Sequence, residues 1–226
     1  MIFPKVSELF SLGHTLAEDD ILNAEPLYSV LLSVDELCEK ISYFLGDDYI
    51  MMHKGIYVAR DANISNTATI LAPTIIGHGT DVRPGAYIRG SAIIGDGCVI
   101  GNSTEIKNSI IFDGVHLPHY NYVGDSILGY RVHLGAGAVI CNLRLDKKSV
   151  KINICGEKLD TGLRKMGAFI GDGAEIGAGC VIYPGTIIGK RSVVYPLSRV
   201  TGIIPENHYY YGDGIAPQKR RDGDII

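Results

Sequence analysis

The stretch LPHYNYVGD, residues 117–125, contains side chains that suit acid–base chemistry. His119 is the candidate general base, because an imidazole titrates near neutral pH and accepts a proton readily. Arg89 and Lys107 lie 18 residues apart, and two cations brought together repel unless they diverge into water or hold an anion between them. These residue types predict proton transfer beside a site for a small anion, provided that the fold brings them together.

A period of six residues indicates the elements that position these side chains. Nine aliphatic residues, from Val58 to Ile106, recur at intervals of six. In eight of the nine cases a small residue stands four positions after the aliphatic one. The small and the aliphatic side chain point the same way, because side chains alternate along a strand. The pattern predicts a solenoid of very short strands, whereas the strands of a β-sandwich hold no fixed phase. The nine consecutive aliphatic members are Val58, Ile64, Ile70, Ile76, Val82, Ile88, Ile94, Ile100 and Ile106.

The same phase continues as far as Val200, with two shortened steps and one interruption. The steps 106–111 and 123–128 are one residue short, and the excursion at 143–165 leaves the coil and returns. The later aliphatic members are Ile111, Leu117, Val123, Leu128, Leu134, Ile140, Ile170, Ile176, Ile182, Ile188, Val194 and Val200.

The two ends of the chain do not follow the six-residue period. Apolar residues in the first segment have helical spacing, and Ser33-Val34-Asp35-Glu36 is a plausible capping box. We expect a helical appendage at 1–55 that caps the open end of a solenoid at 56–205, because that end would otherwise present unpaired strand edges. The tail at 206–226 has no period of six and is expected to end loose.

Composition excludes several classes of partner. The net charge is −4 and no run of five Lys or Arg occurs, so nucleic acid is a poor candidate partner. The five cysteines are scattered without a CxxC pair, which argues against a disulfide framework or a zinc cluster. No apolar run approaches the ~20 residues that span a bilayer, and the N-terminus does not read as a signal peptide. These features predict a cytoplasmic protein that binds neither membrane nor nucleic acid.

Residues 18 apart lie on the same side of successive coils in such a solenoid. That spacing stacks Arg89 on Lys107 after the third side of each coil, with Tyr122 closing the second side of the next coil. Asn142 follows the third side one coil further on. We therefore expect these four residues and His119 to approach one edge of the prism.

The sequence resembles the hexapeptide-repeat acyltransferases. Over about residues 58–205, the elements EIKN, HxxYVGD and GAGxxxxNL are together similar to the C-terminal acetyltransferase domain of bifunctional sugar-1-phosphate nucleotidylyltransferase/acetyltransferases, the glucosamine-1-phosphate acetyltransferase type. The resemblance implies an all-β fold, a left-handed parallel β-helix with three six-residue sides per turn. The 21 aliphatic members of the six-residue period then correspond to about seven coils. It also implies acetyl-CoA as cosubstrate, a sugar phosphate as acceptor in nucleotide-sugar or envelope-precursor synthesis, and a homotrimer.

The resemblance also implies roles for individual residues. His119 matches the base that deprotonates the sugar amine, and Asn142 lines the catalytic site. Arginine at Arg83 or Arg89 is expected to hold the phosphate, because the family's RPGA falls at Arg83 whereas the 18-residue spacing selects Arg89. The other expected substrate-binding residues are Lys107, Tyr122, His133, Lys148 and Lys151, and basic residues of the excursion, Arg144 and Lys165, are expected to bind the phosphates of coenzyme A.

Some features depart from that family. The glycine-rich start of the nucleotidylyltransferase domain is absent, so we expect no nucleotidylyltransferase activity. His133 and Leu143 stand where the bacterial enzymes have Asn and Tyr, which leaves the acceptor sugar open.

Two alternatives of other classes remain. A metal-dependent hydrolyase of the γ-carbonic-anhydrase type is suggested by His78, His116 and His119, although the spacing of three does not match that family and His78 lies in an ordinary GHGT turn. A β-helix without its partner domain that only binds a sugar nucleotide or another chain is the other alternative.

Overall fold

The computed structural model describes residues 3–154, 156–212 and 218–219, and it is a three-sided parallel β-helix. Each coil gives one strand to each of three sheets, called face 1, face 2 and face 3 in the order in which the chain meets them. Successive coils pair in register, with Ile76 beside Ile94 on face 1 and Ile70 beside Ile88 on face 3. The predicted fold class is confirmed.

The helices and strands are short, as hexads require. The helices are α1 (Val6–Leu9), α2 (Glu18–Asn23), a 3₁₀ helix (Leu27–Leu32) and α3 (Val34–Ser42). The strands are β1 (Tyr49–His53), β2 (Ile56–Ala59), β3 (Asn63–Ile64), β4 (Thr69–Ile70), β5 (Thr74–Ile76), β6 (Asp81–Val82), β7 (Tyr87–Ile88), β8 (Ala92–Ile94), β9 (Val99–Asn102), β10 (Glu105–Lys107), β11 (Ser109–Ile111), β12 (His116–His119), β13 (Tyr122–Gly124), β14 (Ile127–Leu128), β15 (His133–Leu134), β16 (Val139–Ile140), β17 (Lys151–Ile154), β18 (Glu157–Asp160), β19 (Ala168–Ile170), β20 (Glu175–Ile176), β21 (Val181–Ile182), β22 (Thr186–Ile188), β23 (Val193–Val194), β24 (Arg199–Val200), β25 (Ile203–Ile204), β26 (His208–Tyr210) and β27 (Gln218–Lys219).

The strand orders define seven complete coils and the start of an eighth. Face 1 has the order β1-β2-β5-β8-β11-β14-β19-β22-β25, face 2 runs from β3 to β27 through β6, β9, β12, β15, β20, β23 and β26, and face 3 has the order β4-β7-β10-β13-β16-β21-β24. Neighbours within these faces are parallel, except for the antiparallel terminal pairs β1/β2 and β26/β27.

The chain after Val200 continues the solenoid through 201–212, so the expectation of a loose tail was wrong for these residues. The rest of the predicted tail, 213–217 and 220–226, lies outside the described residues. Ile204 pairs with Ile188 on face 1, and Tyr210 pairs with Val194 on face 2. Both side chains are buried in the prism. An aromatic ring fills the inward position at Tyr210, a residue type outside the aliphatic pattern.

The helical appendage packs along face 1 and does not cap the end of the prism as predicted. Strands of face 1 carry large apolar residues on both sides, so their outward row needs a cover of its own. The helices and the residues that flank them supply it, among them Phe10, Leu31 and Cys38. The outward row consists of Ile75, Ile93, Ile110, Ile127, Phe169 and Ile187, all fully buried. Burial stabilises each such side chain by roughly 1.5–3 kcal/mol relative to exposure.

The excursion forms an antiparallel hairpin of β17 and β18. An isolated antiparallel bridge between Leu143 and Lys165 closes its neck, so the coil resumes where it left off. Val150, Ile152 and Ile154 are buried in the same apolar cluster as the helices. The hairpin is thus anchored on its own chain. Among the described residues, no helix is long and apolar enough to cross a membrane.

Candidate functional site

A buried carboxylate organises the edge between face 3 and face 1. Asp125 is 4% exposed and accepts hydrogen bonds from the side-chain amides of Asn108, at 2.9 Å, and of Asn142. The ammonium group of Lys107 lies 3.4 Å from both carboxylate oxygens. These donors offset the cost of burying a negative charge. Four residues from three successive coils therefore form one polar cluster.

The shortened hexad steps produce this cluster. Both steps turn the corner from face 3 to face 1, and the corner residues Asn108 and Asp125 have φ of 47° and 50°. Asn and Asp tolerate this left-handed conformation better than most residues. Asp125 and Asn108 were not selected by the sequence analysis. Their signal is a spacing of 17 residues, shared by Asn108, Asp125 and Asn142, instead of 18.

Tyr122 connects the polar cluster to face 3. It is the first residue of β13 and lies on face 3, not at the end of face 2 as predicted. Partial burial raises the pKa of Tyr122, and the negative charges of Asp125 and Glu105 add to this, while Arg89 and a hydrogen bond with Asn142 lower it. Its hydroxyl is therefore protonated at neutral pH and close enough to Arg89 to feel its charge.

His119 lies at the other end of face 3. It is the last residue of β12 on face 2, in register with Asn102, and its side chain is exposed. The following corner is held by Asn121, whose buried amide donates to the carbonyl oxygens of Gly135, at 2.8 Å, and Ala138. The side-chain oxygen of Asn121 accepts the backbone N–H of His119 at 3.2 Å. Asn121, which the sequence analysis did not select, fixes the backbone that presents His119.

The predicted convergence on one edge is therefore only partly correct. The structure brings Lys107, Tyr122 and Asn142 together, with Arg89 near Tyr122. His119 stands at the opposite end of face 3, because the chain turns at 120–121 before β13 begins. Two residues lie between His119 and Tyr122, which makes three Cα–Cα steps, so their Cα atoms are at most about 11 Å apart.

The two candidate arginines occupy different edges. Arg89 follows β7 at the edge between faces 3 and 1, and its guanidinium lies 2.7 Å from Glu105. Arg83 follows β6 at the edge between faces 2 and 3, and it pairs with Asp81 at 2.8 Å. Of the two, Arg89 shares an edge with Lys107.

His133 lies apart from both ends of face 3. It begins β15 on face 2, in register with His116, and the two rings meet edge to face at 6.3 Å. Both line a surface groove of about 720 Å³ at the edge between faces 1 and 2, together with Glu175. The structure does not bring His133 to the polar cluster of its own chain.

The basic residues of the excursion are exposed or paired within it. Arg144 pairs with Asp146 at 2.6 Å, and Lys151 lies 3.7 Å from Asp160. Lys148 is exposed, and Lys165 lies in the bridge at the neck.

The three histidines of the hydrolyase alternative are dispersed. His78 lies between the carboxylates of Asp61 and Asp48, at 2.9 Å from each, while His116 and His119 stand at opposite ends of β12. Within the part of the chain that the structure describes, no three His, Cys, Asp or Glu side chains form a group that could hold a metal ion.

Two family descriptions match the solenoid, the first as far as the end of β17 and the second after the hairpin. "EIF2B subunit epsilon LbH domain" matches residues 53–154, and "Bacterial transferase hexapeptide (six repeats)" matches residues 167–202.

Relatives of known sequence are longer proteins. A bifunctional sugar-1-phosphate nucleotidylyltransferase/acetyltransferase of Sulfurisphaera tokodaii is 39% identical over 150 residues, which is 66% of this chain and 37% of that protein. Bifunctional protein GlmU of Methanococcus maripaludis is 35% identical over 140 residues, 62% of this chain and 34% of that protein. The chain thus spans little more than a third of these relatives.

Matches among solved structures include a hexapeptide transferase family protein from Anaplasma phagocytophilum. It is 15% identical with a TM-score of 0.42, and the match covers 75% of this chain and 82% of that one. The acetyltransferase domain of PglB from Neisseria gonorrhoeae, in complex with acetyl coenzyme A, is 17% identical with a TM-score of 0.34, covering 78% and 61%.

Proposed function

Because the chain carries a hexapeptide-repeat acyltransferase domain, we propose that it transfers an acetyl group from acetyl-CoA to the amine of an amino-sugar 1-phosphate. The observation that carries this proposal is the polar cluster of Lys107, Tyr122 and Asn142 around Asp125, within the stretch related to proteins named acetyltransferases. The nucleotidylyltransferase activity in the name of the relative is not part of the proposal, because the chain spans 37% of that protein.

The cluster suits a phosphate group. Among the described residues, the ammonium group of Lys107 pairs only with Asp125, at 3.4 Å, and such a group has three N–H donors, so it can also bind a second anion. The hydroxyl of Tyr122 supplies a neutral donor beside it, and Arg89 completes a set of two cations and one hydroxyl. Arg89 releases Glu105 as the phosphate arrives. We assign the phosphate to Arg89 rather than Arg83, because Arg83 lies at another edge.

His119 then acts on the amine. The amine nitrogen attacks the thioester carbonyl of acetyl-CoA, a C–N bond forms, and the C–S bond breaks as the tetrahedral intermediate collapses. His119 accepts the proton that the amine loses and passes it to the leaving thiolate, so the products are the N-acetyl sugar phosphate and coenzyme A. Asn142, which Asp125 fixes at the edge between faces 3 and 1, contacts the substrate at its phosphate end.

The site is completed by neighbouring copies in a homotrimer. A single prism offers only a shallow edge, whereas ligand sites usually enclose most of their ligand. Face 1 is covered by its own helices, so faces 2 and 3 remain for contact between prisms. In this arrangement Lys148 or Lys151 and the face-2 residue His133 come from a neighbour, and Arg144 and Lys165 bind the phosphates of coenzyme A.

The test is an acetyl transfer assay with the purified full chain. Thiol release from acetyl-CoA is measured with a panel of amino-sugar 1-phosphates, each paired with the same amino sugar without phosphate, and products are identified by mass spectrometry. The proposal expects acetylation that requires the phosphate. Acetylation of both members of a pair at the same rate would contradict the proposed phosphate site. No acetylation of any member of the panel, despite measured binding of coenzyme A, would contradict the proposed acetyl transfer.

A further inference from the structure

Many glycines of the prism stand where the backbone itself excludes a side chain. At Gly137 φ is +71°, in the left-handed region that favours glycine. At Gly101 a Cβ would overlap backbone atoms of the next coil. Gly124, the last residue of β13, fits neither description, because its φ lies outside the left-handed region and the atoms nearest to an added Cβ all belong to side chains. The glycine at this position therefore serves the side chains around it.

The side chain of Tyr122 occupies the place that a side chain at position 124 would take. The two residues are two apart in β13, so both face outward from the prism, while Val123 between them points into the core. A Cβ added to Gly124 would lie 2.6 Å from the hydroxyl oxygen of Tyr122, 3.0 Å from its Cζ and 2.7 Å from the side-chain nitrogen of Asn142. The ring of Tyr122 therefore lies along β13, with its hydroxyl above Gly124.

This place belongs to a row of cations at the edge between faces 3 and 1. Lys107 is the strand neighbour of Gly124 in β10. Arg89 precedes Lys107 in the same row, because Ile88 pairs with Ile106 one residue earlier. Neighbouring strands lie ~4.8 Å apart, so successive members of the row are close enough to contact one small anion. The hydroxyl of Tyr122 thus adds a third donor where the next side chain of the row would stand.

We propose that Gly124 is a positioning residue for phosphate binding, because the absence of its side chain lets the hydroxyl of Tyr122 enter the row of Arg89 and Lys107. This inference rests on the proposed function and deepens it. A methyl group at position 124 displaces the hydroxyl from the row and leaves both cations in place. The phosphate then keeps its charged partners and loses one neutral donor.

Of the two side chains above Gly124, Tyr122 is the one that yields to a methyl group. Asn142 is 9% exposed and donates to the buried carboxylate of Asp125, and breaking a hydrogen bond within a buried network is costly. Tyr122 is only partly buried, so its ring can turn toward solvent. Gly124→Ala is therefore expected to move the tyrosine, leave the amide of Asn142 in place and retain the fold.

Steady-state kinetics tests this role with the best acceptor of the panel. Gly124→Ala is expected to raise KM for the sugar phosphate about tenfold with kcat little changed, because one hydrogen bond to a charged group is lost. Tyr122→Phe should have the same effect, and the double variant should be no worse than either, since the hydroxyl is lost only once. Gly46→Ala is the matched control, because a Cβ there also meets only side-chain atoms, those of Asp48, between α3 and β1.

The control should keep the kinetics of wild type, and circular dichroism establishes that all variants fold. Unchanged KM in Gly124→Ala overturns the proposal. It is also overturned if the two losses multiply to about a hundredfold in the double variant, because the alanine then acts on something other than the hydroxyl.

A binding measurement separates this role from the acetyl transfer. Chain labelled with ¹³C at the tyrosine Cζ atoms is titrated with inorganic phosphate in the absence of acetyl-CoA, and the resonance of Tyr122 is identified by its loss in Tyr122→Phe. Phosphate is expected to shift this resonance in wild type and in Gly46→Ala, and not in Gly124→Ala. An equal response in Gly124→Ala overturns the positioning role even if acetyl transfer occurs. The expected pattern without any acetyl transfer supports the role of Gly124 and contradicts the proposed reaction alone.

Discussion

Asn142 donates its side-chain amide to Asp125, which lies one coil earlier at the same edge of the prism. Lys107, one coil earlier again, approaches the same carboxylate from the other side. A single buried charge thus fixes two residues that are proposed to contact substrate. In the proposed reaction Asp125 is a positioning residue, because it would act through Lys107 and Asn142.

Asp125→Asn is expected to lower kcat/KM by about tenfold to a hundredfold, chiefly through KM, because Lys107 loses its partner and moves. It should also lower the free energy of unfolding by about 1–3 kcal/mol, since a buried network loses an acceptor. The matched control is Asp172→Asn, another buried carboxylate, which accepts from the backbone N–H groups of Ser11 and Tyr130 at a different edge. The control should lose stability with kinetics unchanged. An equal loss of kcat/KM in both variants would assign Asp125 a purely structural role.

His119→Ala is expected to lower kcat by about 10²–10⁴-fold, the usual contribution of a general base. The side chain is exposed, so the melting temperature should remain that of wild type. His116→Ala is the control, because it removes an exposed histidine from the same strand, three residues earlier. Steady-state kinetics on both variants makes the comparison, and near-wild-type kcat for His119→Ala excludes it as the base.

Mixing two inactive variants tests whether neighbouring copies share a site. His119→Ala and the double variant Lys148→Ala/Lys151→Ala should regain part of the activity in mixed trimers, because some sites then contain an intact set. Subunit exchange is followed with differently tagged chains. If exchange occurs and activity stays absent, each site is built from one chain.

Gly101→Ala should destabilise the strand that carries His119. A Cβ at this position would overlap the backbone of Pro118 in the next coil, so β12 has to move. The expected loss is about 3 kcal/mol in urea unfolding, at the upper end for overpacked sites. Gly79→Ala serves as comparison, since its φ of +60° strains a side chain but nothing lies within 4 Å, and about 1 kcal/mol is expected there. Equal losses of unfolding free energy in the two variants would show that β12 moves away from the new Cβ without an additional cost.

The attachment of β1 should weaken as pH rises. Partial burial lowers the pKa of His78, but hydrogen bonds to Asp61 and Asp48 outweigh it, so the net pKa is raised above its ordinary 6.5. A raised pKa stabilises the folded state below 6.5, and this contribution is lost as pH passes the folded value. Thermal unfolding from pH 5.5 to 9 should show the advantage of wild type over His78→Ala shrinking with pH. A constant difference would contradict the ion-pair account.

The sequence predicts the coil well, because each inward position demands the same residue type. Ile88 and Ile106 pack on one another for the same reason, so the period survives changes elsewhere. The need for an apolar cover on face 1 could also be predicted, from neighbouring pairs of large apolar residues such as Ile93-Ile94 and Ile187-Ile188. One of each pair must point out of the prism, and that row required a partner.

The edges were harder to predict. A shift of one residue at each shortened corner changes which side chains stack. Asp125 therefore lies next to Asn142, a contact that the 18-residue spacing did not predict. His119 was assigned to the wrong end of face 3 because the turn after it depends on Asn121, whose buried contacts reach Gly135 and Ala138 in the following coil. Such contacts have no local signature.

The apolar cover over face 1 has a consequence for how many neighbours a prism can accept. A three-sided prism with all faces bare has a valency of three, and identical units of that kind extend into an open two-dimensional lattice. Covering one face lowers the valency to two, and units with two contact faces set at a fixed angle close on themselves. In the proposed trimer, the N-terminal segment that contains Phe10 and Leu31 would therefore limit growth as well as bury apolar surface. A chain that lacks this segment would precipitate as extended arrays rather than remain as discrete particles.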